Sequence, residues 1–157
     1  MRKIVYMMNF KGRRSQASSG SKLRTTSSAT SCVVSTVVGT TGVETDCRAS
    51  PGELAFLESE SRLTGPGLFE EDGVIAFGDD SDHLLRFSTL GQGYLTAGPE
   101  PGIMAGSAVW KVDGGEGQFA QARGFISSTF TLTAEGELSD FHCGLILLPD
   151  SPWPSNS

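Results

Sequence analysis

The chain has 157 residues, 38% of them hydrophobic, 19% charged and 20 of them glycine, with a net charge of −6. That length suits one domain with a buried core, and a composition this rich in glycine and small polar residues argues against a helical bundle and for short strands joined by Gly-rich turns. No apolar run is long enough to span a bilayer as a helix, and Asn9 and Lys11 interrupt any signal-peptide core after Arg2 and Lys3.

The charge is unevenly placed. Arg2, Lys3, Lys11, Arg13, Arg14, Lys22 and Arg24 all precede the first acid, Glu44, and the rest of the chain sets five cations against eighteen acids. Such a basic arm could meet nucleic acid or an anionic membrane, or serve as a transit peptide. The plainer reading is a first strand followed by a solvated basic loop, because Ile4, Tyr6, Met8 and Phe10 alternate. The acidic remainder makes a poor nucleic-acid binder. Cys32, Cys47 and Cys143 include no C-x-x-C pair, and with only His83 and His142 beside them no metal site is expected. Reduced thiols and a cytoplasmic location are the default, with Cys32, inside an apolar run, expected to be buried.

In chain order, a strand is expected over Lys3–Phe10, then a Ser-rich loop containing Arg13 and Arg14, which should be dispensable there. A long β-branched strand covers Leu23–Val38 and turns at 39–42 into a hairpin partner, Val43–Cys47. Pro51-Gly52 breaks the chain before a strand over Glu53–Leu63. Short strands follow at Gly73–Phe77 and His83–Leu90, then a broad Gly/Pro loop over 91–102 holding Tyr94. Ala105–Val112, Phe125–Thr133 and Leu138–Leu148 are the last strands. Residues 1–149 thus form one domain, and 150–157, with Pro152, Trp153 and Pro154, read as a frayed tail. Sequential hairpins make the sheet antiparallel. An up-and-down barrel of eight or nine strands is the economical closure, with a β-sandwich as the alternative.

The segment Val112-Asp113-Gly114-Gly115-Glu116-Gly117-Gln118-Phe119-Ala120-Gln121-Ala122-Arg123-Gly124 resembles the G-G-x-G-x-F-x-x-A-x-G connection of allene oxide cyclase-like barrels, and of the related dirigent-type proteins in the calycin group. The likeness covers about the last third of the chain. It implies a barrel and, in some members, cyclase or isomerase activity on hydrophobic small molecules, polyketide cyclases among them. It assigns no catalytic residue, since no other motif of plant allene oxide cyclases is matched. In physical terms Phe119 and Ala122, three apart on a helical turn, can plug one barrel end. Neither a phosphate loop nor a dinucleotide fingerprint fits these glycines.

Site candidates follow from strand faces. Glu58, Glu60 and Arg62 share one face, ordinarily solvent, opposite Ala55, Leu57, Ser59, Ser61 and Leu63; were Glu60 to point inward, burial would suit it to acid–base work. Asp140 and His142 share a face with Gly144 and Ile146. His142 is a candidate proton shuttle, although two residues along a strand stand roughly 7 Å apart. Arg86 could orient an anionic group, or pair with an acid on a neighbouring strand. Trp110 and Phe130 are candidate walls of an apolar ligand cavity, and Tyr94 a gate over its mouth.

The expected function is therefore a cofactor-independent cyclase or isomerase. Its catalytic residues would be His142, Arg86 and Glu60, acting on a polyketide- or fatty-acid-derived molecule held by Trp110, Tyr94 and Phe130. No metal, nucleotide or nucleic acid is expected. A non-catalytic ligand-binding barrel is the alternative. A protein that uses the barrel's outer face, for instance as a homodimer, is the third reading.

Overall fold

A computed structural model describes residues 1–17 and 20–150. Its strands are β1 (Arg2–Gln16), β2 (Leu23–Gly39), β3 (Gly42–Gly65), β4 (Leu68–Phe77), β5 (Leu84–Thr89), β6 (Gly93–Ala97), β7 (Ile103–Gly115), β8 (Arg123–Thr133) and β9 (Glu137–Leu148), with a 3-10 turn over Gly117–Phe119. All pairings are antiparallel. The sheet closes on itself in the order β1-β2-β3-β4-β5-β7-β8-β9, with β6 between β4 and β7. It is the expected all-β barrel, and ring closure leaves no sandwich.

β5 and β6 lie end to end in one slot of the wall. Ser88 pairs with Asp72 and Gly93 with Phe69 on one side, while Thr89 pairs with Trp110 and Tyr94 with Ser107 on the other. The wall therefore has eight positions. At the break, Thr89 replaces the lost ladder, its Oγ1 accepting from Glu71 N and donating to Glu71 O, both at 2.8 Å.

Four expectations need correction. β1 continues past Phe10 to Gln16, so Arg13 and Arg14 belong to the sheet and not to a loop. Residues 93–97 form a strand inside the expected loop. Pro51-Gly52 does not end a strand; it sits where the β2–β3 register shifts, between the Thr30–Leu54 and Cys32–Ala49 pairs. One residue of β2 faces four of β3 at this bulge, and a bulge bends the strand that carries it. Beyond it, residues 32–39 and 42–49 pair, among the described residues, only with each other and form a ribbon. Cys32 stands at the root of this ribbon, half-exposed, its Sγ donating to Met7 O at 3.4 Å, so it is not a core residue. All three thiols are free. The end of the tail, 151–157 with Trp153, lies outside the described residues.

The alternating even positions of β1, β8 and β9 and odd positions of β3, β4 and β5 point inward, as a period of two requires. One barrel end is apolar. Ile75, Leu85, Val112, Ile146 and Leu148 line it, and Phe119 and Ala122 close it as the sequence suggested, Phe119 lying 5.2 Å from Phe77. Two inward glycines make room for rings. A Cβ on Gly144 would stand 2.1 Å from the Tyr6 ring, and one on Gly106 2.3 Å from that of Phe130.

Candidate functional site in the barrel interior

The middle and the opposite end of the interior are polar. On β9 the strand twist brings His142 Nε2 to 3.0 Å from Asp140 Oδ2, although the two are i and i+2. Ser128 Oγ, from β8, donates to both Asp140 oxygens at 2.7 and 2.9 Å. All three residues are buried. With Nε2 donating to the carboxylate, Nδ1 keeps its lone pair free, which is the tautomer of a base. Nδ1 has no hydrogen-bond partner among the described residues. The serine faces the carboxylate and not the imidazole, so this is no nucleophilic triad.

Rings enclose the imidazole. Phe10 stacks on it at 4.2 Å and 25°, and Trp110 meets it edge-on at 4.9 Å and 88°. Trp110 in turn stacks on Phe87 at 4.0 Å. The hydroxyl of Tyr6 and the Nε1 of Trp110 are buried without partners among the described residues, as are the hydroxyls of Ser27 and Ser61. Burial holds the Tyr6 hydroxyl well above its usual range, with Asp140 and Cys143 adding to the effect, so it stays a donor at neutral pH.

Towards the polar end, Arg14 and Glu71 face each other at 3.6 Å, with side chains only 6% and 4% exposed. Arg14 Nε donates to Thr25 Oγ1 at 3.0 Å, and its guanidinium lies 5.2 Å over the Phe130 ring. Ser59 Oγ donates to Glu71 Oε1 at 2.5 Å. Burial pushes the Glu71 carboxyl above the ordinary range; Arg14 and the Ser59 hydrogen bond oppose this without cancelling it, and Asp140 adds to it. A cleft of about 220 Å³ reaches Glu71, Ser61 and Thr89 from the surface, between Lys22, Glu60, Arg62, Glu70, Asp72 and Ser88.

No family profile, curated protein or solved structure matches the chain. The site is therefore read from its own chemistry.

His142, Trp110 and Phe130 are all buried inside the barrel, with Trp110 edge-on to His142 and Phe130 beside Phe69 and Arg14. Arg86, Tyr94 and Glu60 do not join them. Arg86 points outward and pairs with Glu116, because the inward phase of β5 belongs to Leu85 and Phe87. Tyr94 is 65% exposed on the outer face of β6, turned away from the interior. Glu60 faces outward at the cleft's edge, 3.2 Å from Lys22. Around Trp110, where an apolar cavity with a few polar groups at its mouth was expected, stand stacked rings and unpaired polar atoms. Sequence reasoning missed Arg14 and Glu71. The signal was the unbroken alternation Phe10-Gly12-Arg14 and Phe69-Glu71-Gly73, hidden by neighbouring charges that look like loop. Among the described residues no cluster of His, Cys, Asp and Glu is arranged to hold a metal ion.

Proposed function

We propose that the protein is a cofactor-independent isomerase or cyclase acting on a small, largely hydrophobic carbonyl compound, of the polyketide or fatty-acid-derived kind, within the barrel. The carrying observation is His142, oriented by Asp140 and Ser128, with its other nitrogen unpartnered in an aromatic enclosure. In this reading Nδ1 takes the proton from the carbon beside the carbonyl. The oxygen that gains charge accepts hydrogen bonds from Tyr6 Oη or Trp110 Nε1. The enolate is then reprotonated at another carbon by His142, or closes on a second carbonyl carbon of the same molecule, whose oxygen takes the proton back from His142. Electrons and protons balance without an oxidant or cofactor. A positioned base of this kind contributes roughly 10²–10⁴-fold. The resemblance of residues 112–124 to allene oxide cyclase-like barrels supports the same class.

The close packing of Phe10 and Trp110 on the imidazole favours a second reading, a non-catalytic ligand barrel whose Asp140–His142 pair only orders the interior. One experiment separates the two. Polyketide- and fatty-acid-derived ketones are screened by Trp110 fluorescence quenching, and each binder is incubated in D₂O and followed by proton NMR. The enzyme reading expects deuterium to enter beside the carbonyl and His142→Gln to abolish this with quenching retained. Quenching with no exchange in any binder assigns the carrier role. Loss of the quench in Trp110→Phe checks the probe.

A further inference from the structure

Two of the three thiols meet at the root of the ribbon. Cys32 on β2 pairs with Ala49 on β3, and Val34 with Cys47, so Cys32 and Cys47 are diagonal neighbours on one face of the hairpin. No short motif joins them in the sequence; the hairpin brings them together. Their sulfurs lie within hydrogen-bonding reach of each other, and both thiols are free. Cys32 is anchored from the other side, its Sγ donating to Met7 O at 3.4 Å. Burial, then the Cys47 sulfur, hold the Cys32 thiol above its ordinary range, and a backbone hydrogen bond at Asn9 opposes them. So close together, both sulfurs become anionic only where a cation takes the place of the protons.

The surroundings select the cation. Asn9, Lys11, Ser28, Thr30 and Ala49 line a surface groove together with the two cysteines. No carboxylate lines it, so calcium and magnesium lack the acidic oxygen ligands they need. Among the described residues no group of three or more histidines, cysteines and acids is arranged around an ion. Zinc and iron–sulfur clusters, which take four such ligands, therefore do not fit. Soft sulfur donors select copper(I), and two thiolates satisfy that ion. The pair then carries a single negative charge. Lys11, which has no acidic partner among the described residues, supplies the opposite one in the same groove. The diagonal placement also favours an ion over a disulfide. A disulfide suits Cα atoms about 4.4–6.8 Å apart, whereas diagonal neighbours stand about 7–8 Å apart. An ion between the sulfurs, with metal–sulfur bonds of about 2.3 Å, spans the difference.

We infer that Cys32 and Cys47 form a binding site for a single copper(I) ion, held between their sulfurs at the root of the ribbon. Binding is ligand exchange without redox. Two copper–sulfur bonds form, two S–H bonds break and both protons go to solvent. The Cys32 bond to Met7 O is given up with its proton. Because the two ligands belong to opposite strands, the ion cross-links β2 and β3 just beyond the point where their register shifts. Cys143 takes no part. It lies on β9, with β1 between it and β2, and two strand spacings are about 9–10 Å.

The test uses the full chain, reduced, free of metal and under nitrogen. Copper(I), supplied as its acetonitrile complex, is titrated in competition with bicinchoninate, whose coloured copper complex reports what the protein does not hold. Wild type is expected to withhold one equivalent per chain. Cys32→Ser and Cys47→Ser should each surrender it and Cys143→Ser should keep it, all with the near-UV circular dichroism of wild type. Cys47 is exposed, so Cys47→Ser alone decides the matter where Cys32→Ser fails to fold. Amide exchange over residues 32–49 should slow in copper-loaded wild type and not in Cys47→Ser given the same copper. Wild type that yields all its copper to the chelator overturns the inference, as does copper retained by Cys47→Ser. Loss in Cys143→Ser alongside the other two would mean scattered thiol binding and overturns it too. Zinc withheld from a zinc chelator with the same pattern among the variants would give the pair to another ion and overturn the copper assignment.

Discussion

Replacing Arg14 by Met leaves the Glu71 carboxylate buried with only Ser59 to receive it. Breaking a buried ion pair from one side costs about 3–5 kcal/mol. The low end applies here, because the two groups are 3.6 Å apart and Glu71 can escape by taking up a proton. A loss of about 3 kcal/mol lowers Tm by roughly 6–12 °C in a chain of this size. The pH dependence has a definite sign. In the fold Glu71 holds its proton more tightly than in the unfolded chain, where glutamate titrates near ~4.3. The stability from that proton is full at low pH and is lost as pH rises through the raised folded value. Without Arg14 the carboxyl rises further, so the gap between wild type and Arg14→Met widens from pH 5 to pH 8. Glu71→Gln added to Arg14→Met should narrow it again at pH 8. The assay is thermal unfolding by circular dichroism at both pH values. A Tm within a degree or two of wild type at pH 8, or a gap that does not grow with pH, would refute the buried pair. Arg13→Gln is the contrast: Arg13 is exposed and, among the described residues, its side chain donates only to Glu135 O, so its loss should stay within about 0.5 kcal/mol.

Gly144→Ala should cost about 1–3 kcal/mol through overpacking against the Tyr6 ring, and Tyr6→Leu in the same chain should recover part of it, as read by urea midpoints in a double-mutant cycle. Phe119→Ala removes the plug and should cost about 3–5 kcal/mol, while dye binding reports the opened apolar end. Thr89→Val takes away both bonds to the Glu71 backbone where the wall is interrupted; a loss of about 1–3 kcal/mol is expected, with amide exchange fastest at Glu71.

Much of the barrel was legible because strand faces have a period of two and burial enforces it. The Ala55–Ser61 face points inward as its pattern suits, though Leu63 at its end is exposed; for the Ala108–Val112 face with Trp110 and the Asp140–Ile146 face with His142 the pattern showed which residues share a face, and the closed sheet turns both inward. The plug was legible for the same reason: Phe119 and Ala122 are apolar among glycines. Polar residues with inward phase escaped notice. Arg14 follows Lys11-Gly12-Arg13, and Glu71 sits in Glu70-Glu71-Asp72. Local polarity there argues for loop, and only the partner across the barrel makes burial tolerable. The same holds for Asp140 and His142, whose contact depends on a twist that spacing along a straight strand does not contain. Tyr94 and Arg86 failed differently. Their phase is set by which neighbour is buried, and Gly93 and Leu85 take the inward places.

The seam between β1 and β9 joins the first strand to the last: Arg2 pairs with Leu148 and Arg13 with Glu137. No local hairpin can make that junction, so the cylinder cannot close before β9 is available to β1. Until then β1 is an uncapped edge with one neighbour, and the loop-closure entropy of the seam is met in a single late event. Folding should be slow for the chain's length, and a nascent molecule is most prone to aggregate while its opening strand still waits for its closing one.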